Sequence, residues 1–222
     1  MTTFQRARSE EQRAVRRQAI LTTAAAMLAE MPVAQLSLNE LSRRVGLAKS
    51  NVLNYFDSRE AVLLELLDAE THAWMDQLDA ELTATVDPAA AIDDRAAALA
   101  DAIVTTLESR PMLCALTAAQ AAVLEHNISV EVAADFKRGS IANYAVMIRH
   151  VLAHLPELGE DGAGRLIAAT VMLTGVIWTH SHPSAAIIAV YETDPEVAAF
   201  RITFAPTLRE ALQTILVGVL PR

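Results

Sequence analysis

The chain has 222 residues, 53% of them hydrophobic and 20% charged, with one cysteine and a formal net charge of −9. That balance excludes a disordered chain and leaves room for one large domain or two modest ones. The lone Cys114 excludes an intramolecular disulfide framework and suits a reducing compartment. The opening residues lack the apolar run of a signal peptide, so a cytoplasmic location is expected.

The charge is unevenly placed. Residues 1–56 hold eight Arg or Lys against four Asp or Glu, a balance of +4, which leaves −13 on the remaining 166 residues. A basic N-terminal end beside an acidic body would orient the molecule on a polyanion.

In chain order, a first helix is expected from about Ser9, with Ser9 and Gln12 as a capping box. Ala14, Ile20, Ala24 and Leu28 would face inward, and Arg13, Arg16 and Arg17 would stay solvated. Pro32 ends it. Ser37 and Glu40 form a second capping box, Leu38, Leu41 and Val45 share one face, and Gly46 stops that helix. Leu47 turns inward. A further helix, from Ala48 to Phe56, would bury Val52 and Phe56 and leave Lys49, Ser50, Asn51 and Asn54 outward. Ser42 is small where the two helices cross. This is the pattern of a helix-turn-helix, although an ordinary helical hairpin uses the same signals.

Asp57 and Ser58 are alternative caps for a long helix to about Leu82. Its stripe is Val62, Leu66, Ala69 and Ala73, flanked by Leu63, Leu67, Trp74 and Leu78. It is long enough to join two cores, which places a domain boundary near Asp68 to His72. Further helices are expected at 91–109 and 111–125, and from a Ser129 cap to 154. A loop at 155–164, a helix at 164–180 and a short helix at 185–191 follow. A last helix from Asp194-Pro195 to Val219 should kink at Pro206. No strand alternation bounded by hairpin turns occurs, so the fold class is all-α.

The stretch Leu166 to Tyr191 has no formally charged residue. Its apolar part, Leu166 to Trp178, is shorter than the ~20 residues a bilayer requires, so a core or interface helix is expected. His150 and His154 share a helix face, and His180 and His182 lie close in sequence, but neither pair has a convincing third ligand. With no Ser/His/Asp arrangement or phosphate-binding glycine loop either, no enzyme, metal or cofactor is expected. Cys114 sits in an apolar stretch and should be unreactive.

Residues 19–30 (AILTTAAAMLAE), 37–56 (SLNELSRRVGLAKSNVLNYF) and 57–67 (DSREAVLLELL) together resemble the TetR family of transcriptional regulators. The most specific element is the run of Tyr55, Phe56, Ser58, Arg59, Glu60, Val62 and Leu63 after the helix-turn-helix. The resemblance implies a three-helix DNA-binding domain at 1–70, with the helix-turn-helix at about 38–57. A connector helix would join it to a helical ligand-binding and dimerisation domain at 71–222. Lys49, Ser50 and Asn51 take positions at the start of the family's recognition helix, and Asn54 a further groove-facing one. Tyr55 matches a phosphate-contacting tyrosine, Arg59 the usual lysine at the connector's start, and Ser37 a backbone contact that capping alone also explains. Three residues depart from the pattern: Ala48 stands for a capping serine, Leu53 for a tyrosine and Pro32 for a glycine.

The resemblance also implies a homodimer through helices at about 164–180 and 195–219, with Gly175, Ala168 and Ala169 allowing close approach. It implies an inducer pocket as well, for which the candidate lining is Met112, Leu113, Cys114, Val123, Tyr144, Met147, Met172 and Trp178. A plain core would use the same residues. The expected function is a repressor released from a palindromic operator by a small, largely apolar ligand. The alternatives are an architectural DNA-binding dimer without ligand response, and an activator.

Overall fold

The computed structural model describes residues 3–221, with side chains from residue 10 onward. Those residues form helices, turns and loops, with no strand among them. The helices are α1 (Thr3–Glu30), α2 (Leu38–Val45), α3 (Lys49–Val52), α4 (Arg59–Thr85), α5 (Ile92–Glu108) and α6 (Pro111–Ala119). They continue with α7 (Val130–His154), α8 (Gly159–Ser181), α9 (Ala185–Thr193), α10 (Pro195–Ala198) and α11 (Phe204–Val219).

Two compact units divide the chain. The first comprises residues 1–69 and 119–138, and the second residues 70–118 and 139–222. The expected boundary at 70/71 was linear and did not include the return of 119–138 to the first unit. That segment holds a π-turn, Gln120–Leu124, and the first turns of α7. Within the first unit the Ser129 hydroxyl caps α7 through Val132 N–H and bonds the Asp57 carboxylate at 3.0 Å. Asp57 therefore serves as a tether, and Ser58 caps α4 through Ala61 N–H.

Several sequence expectations are corrected. α1 starts at Thr3 rather than near Ser9, because residues 3–8 contain neither Gly nor Pro to stop it. The Ser9 side chain lies outside the described set. Ile20, Leu21, Ala24 and Met27 are its buried residues among those described, Leu28 is half-buried and Ala14 is exposed. In α4, Val62, Leu63, Leu66, Leu67, Trp74 and Leu78 are buried, but Ala69 is exposed and Ala73 half-buried. The loop expected at 155–164 is mostly helix, since α8 begins at Gly159, with Glu160 and Asp161 in a first turn that favours acids.

The last helix is two helices. Asp194 caps the short α10 through the Glu196 and Val197 N–H groups, residues 201–203 leave helical geometry, and α11 restarts at Phe204. Pro206 falls in the first turn of α11, where a missing N–H costs no helical bond, so it does not kink the helix.

The second unit packs α11 against α8 and α5. Leu99, Ile103, Leu166, Ile167, Leu208 and Leu212 are fully buried in it. Trp74 Nε1 donates to the buried Thr106 hydroxyl at 3.0 Å, and Arg95 bonds the His154 carbonyl and pairs with Glu157. That guanidinium holds the Glu157 carboxyl below the usual carboxylate range. Residues 156–181 are long and apolar enough to cross a membrane by length and composition, a longer run than the sequence estimate allowed. One face of the helix is seated in the core of the second unit, with Leu166, Ile167, Thr170 and Thr174 buried.

Candidate nucleic-acid interface

Ser37 accepts from Glu40 N–H at 3.2 Å and so caps α2. Leu41 and Ser42 are buried below it, and Ser42 donates to the Leu38 carbonyl. Gly46 takes a left-handed φ of 75°, which a side chain would disfavour, and lets Leu47 N–H close on the Ser42 carbonyl at 3.0 Å. The chain is thereby turned sharply into α3.

The recognition helix is shorter than expected. Only Lys49–Val52 is α-helical, and residues 53–55 continue as turns before Phe56. Ala48 has the extended geometry of a cap residue but no side chain to bond the free N–H groups. Missing that cap costs about 1 kcal/mol and leaves the helix end less well held. Val52 and Phe56 are buried, whereas Lys49, Ser50, Asn51, Leu53 and Asn54 are exposed. The polar side chains expected to read DNA are thus all exposed around that turn. Tyr55 is half-buried.

Two arginines hold this turn: Arg13 is exposed, as expected, and Arg17 is half-buried. Arg13 donates to the Asn54 carbonyl at 3.0 Å and lies 5.5 Å from the Tyr55 ring centre. Arg17 pairs with Glu65 on α4, donates to the Tyr55 carbonyl and sits 4.1 Å over the Phe56 ring. One side chain therefore ties α1 to both the recognition turn and the connector. The i, i+4 spacing of Arg13 and Arg17 was the available signal.

Around α2, Glu40 bonds Arg43 at 2.6 Å and Arg44 at 3.0 Å, and Arg44 also reaches Glu30 at 2.6 Å. The hydrogen bonds from Arg43, then Arg44, lower the Glu40 carboxyl to a pKa of about 2. Both arginines are raised in turn by their acidic partners. Arg59 is half-buried with Nε 3.3 Å from Glu60 Oε1, close but not aligned as a hydrogen bond.

The residues expected to line a ligand pocket are scattered. Leu113, Cys114 and Met147 are buried in the second unit, and Met112, Tyr144 and Trp178 are half-buried there. Tyr144 donates to the Gly164 carbonyl, joining α7 to α8. Val123 belongs to the first unit, on the π-turn, because the chain returns there. Met172 is 64% exposed, on the face of α8 opposite its buried threonines. Burial pushes the Cys114 thiol up to about 12. Gly175 serves the monomer itself: a Cβ there would stand 3.2 Å from Ala118 Cα and 3.3 Å from the Thr117 carbonyl on α6. His150 faces Asp79 at 2.6 Å, and His182 stacks on Trp178.

The head and body also match known sequences. Residues 20–66 match the family described as bacterial regulatory proteins, tetR family, and residues 68–222 match the tetracyclin repressor-like C-terminal domain. The chain belongs to the TetR family. Members of that family are described as bacterial regulatory proteins. The HTH-type transcriptional regulator EthR of Mycobacterium tuberculosis is 44% identical over 50 residues, 22% of this chain and 23% of that protein. The chain therefore aligns with about a quarter of the length of such TetR relatives. Among solved structures, the fatty acid degradation regulator FadR from Bacillus halodurans aligns with a TM-score of 0.53 at 15% identity, over 92% of this chain and 99% of that one. A TetR regulator from Rhodococcus sp. RHA1 aligns with a TM-score of 0.53 at 14% identity, over 92% and 97%. These likenesses establish the TetR fold.

Proposed function

We propose that the protein is a homodimeric repressor that leaves a palindromic operator when a small, largely apolar ligand binds its body, the second unit. The reading is carried by the recognition turn, where Lys49, Ser50, Asn51 and Asn54 are exposed and Val52 and Phe56 are buried. Asn pairs bidentately with adenine and Lys donates to guanine acceptors, each worth ~1–3 kcal/mol of discrimination. Ser37, Tyr55 and Arg59 would position the head on phosphates. A two-fold dimer presents two such turns to successive major grooves.

Dimerisation through α8 and α11 is supported by their exposed apolar side chains, Val171, Met172 and Val176 on α8 and Val217 on α11. Met172 accordingly moves from the pocket to the interface in this reading. Ligand response is supported by Thr174. Its neighbours Thr170 and Thr179 bond carbonyls one turn back, but the Thr174 hydroxyl is buried without a partner. An orphan hydroxyl costs ~1–3 kcal/mol, which a ligand's polar group would recover. A cytoplasmic site of action follows from the target.

The test is genome-wide footprinting of the purified protein, repeated with Lys49→Ala/Asn51→Ala and with metabolites from the neighbouring genes. The expected result is a palindromic footprint, lost in the double variant and released by one metabolite. Retained binding by the double variant would sink the assignment of the reading residues. Footprints unaffected by any small molecule would favour an architectural dimer.

A further inference from the structure

The recognition helix has four residues, Lys49–Val52, and no side-chain cap. A helix that short does not hold itself in water, since even alanine-rich peptides need ~12–15 residues. Its geometry therefore depends on bonds from elsewhere in the chain. Two of these come from α1, where Arg13 reaches the Asn54 carbonyl and Arg17 the Tyr55 carbonyl, across 41 and 38 residues. A third is made at Asp57, directly after the buried Phe56, and comes from a different segment. The Ser129 hydroxyl donates to the Asp57 carboxylate at 3.0 Å, across 72 residues.

Ser129 has the surroundings of a fixed point. It belongs to residues 119–138, which return to the first unit between two stretches of the second. That segment holds its own shape. Glu125 accepts from Gln120 Nε2 at 2.8 Å and from Lys137 Nζ at 2.7 Å, which joins the π-turn to α7. Asn127 turns the corner between them with a φ of 55°, a left-handed conformation that asparagine tolerates better than most residues. Ser129 Oγ accepts from Val132 N–H at 3.3 Å, so its place as the cap of α7 sets where the hydroxyl points.

The bond to Asp57 serves neither helix end. Capping α7 uses only the acceptor side of the Ser129 hydroxyl, and α4 is already capped by Ser58. What the bond fixes is the residue at which the recognition turn passes into the connector.

We propose that Ser129 is a positioning residue of the DNA interface, which through Asp57 holds the end of the recognition turn in its binding geometry. This rests on the DNA-binding reading above. A head freed of the bond is competent for less of the time, so its affinity falls by that fraction while its contacts with DNA stay the same.

The test is operator binding by fluorescence anisotropy, with the full chain and the footprinted duplex, for Ser129→Asp, Asp57→Asn and the two combined. Aspartate caps a helix as well as serine does, but here it sets one carboxylate against another. Asp57→Asn supplies an amide that can donate to it instead. Ser129→Asp should lose at least ~5-fold more affinity in the wild-type background than beside Asp57→Asn. The charge it adds acts in both backgrounds and drops out of that comparison. Ser129→Gly, which adds no charge and weakens the cap little, should lose at least ~3-fold with the salt slope unchanged. Hydrogen exchange at residues 130–134 should match wild type in both single variants of Ser129. Equal losses in the two backgrounds, a changed salt slope in Ser129→Gly, or a loss that follows exposure of residues 130–134 overturns the tether while the DNA reading stands. A wild-type chain without a footprint removes both.

Discussion

Asn51 and Lys49 are exposed, so replacing them should change recognition without changing stability. Lys49→Ala/Asn51→Ala is expected to lower operator affinity at least ~30-fold in mobility shifts, with thermal unfolding unchanged. Glu40 makes a different prediction. Its folded pKa, about 2, lies below the ordinary carboxylate value of 4.5. The unfolded state therefore binds the proton more readily, and the contribution of Glu40 is fully present above pH 4.5 and lost as pH falls towards 2. Acid titration of head stability should flatten over that window in Glu40→Gln. Cys114 is shifted the opposite way, to about 12, so native protein should resist alkylation at neutral pH until it unfolds.

At the scale of elements, the recognition helix is a single turn supported from outside. Its cap is absent and its position depends on Arg13 and Arg17 from α1. Ala48→Ser should stabilise the head by ~0.5–1 kcal/mol in denaturant melts, because the backbone already has cap geometry. Arg17→Met should destabilise it by ~1–2 kcal/mol and weaken operator binding, through lost bonds to Glu65 and Tyr55. In the body, Gly175→Ala would press a methyl onto the backbone of α6 and should cost ~1–3 kcal/mol. The capping box, the Gly46 stop and the Val52–Phe56 pair were legible because each is a local rule. The roles of Arg13 and Arg17 were not, since a surface arginine and a bridging one look alike until the chain 40 residues later is placed beside them.

For the whole molecule, the +4 and −13 halves predict that binding is steered by the head and is strongly salt-dependent. Each phosphate contact removed, as in Arg59→Ala, should lower the slope of log affinity against log salt by about one. That measurement separates Arg59 as a phosphate contact from Arg59 as a partner of Glu60.

The sequence by itself determined the helical class, the helix-turn-helix and the family, because capping, turn chemistry and apolar period act over a few residues. Tertiary structure decided the rest. It returned residues 119–138 to the first unit and used Gly175 against α6. It also put Pro206 harmlessly in a first turn and left α9 with no buried residue. Those outcomes depend on which surfaces meet across long stretches of chain. An apolar residue carries the same local signal whether it faces its own core, a ligand or a second copy.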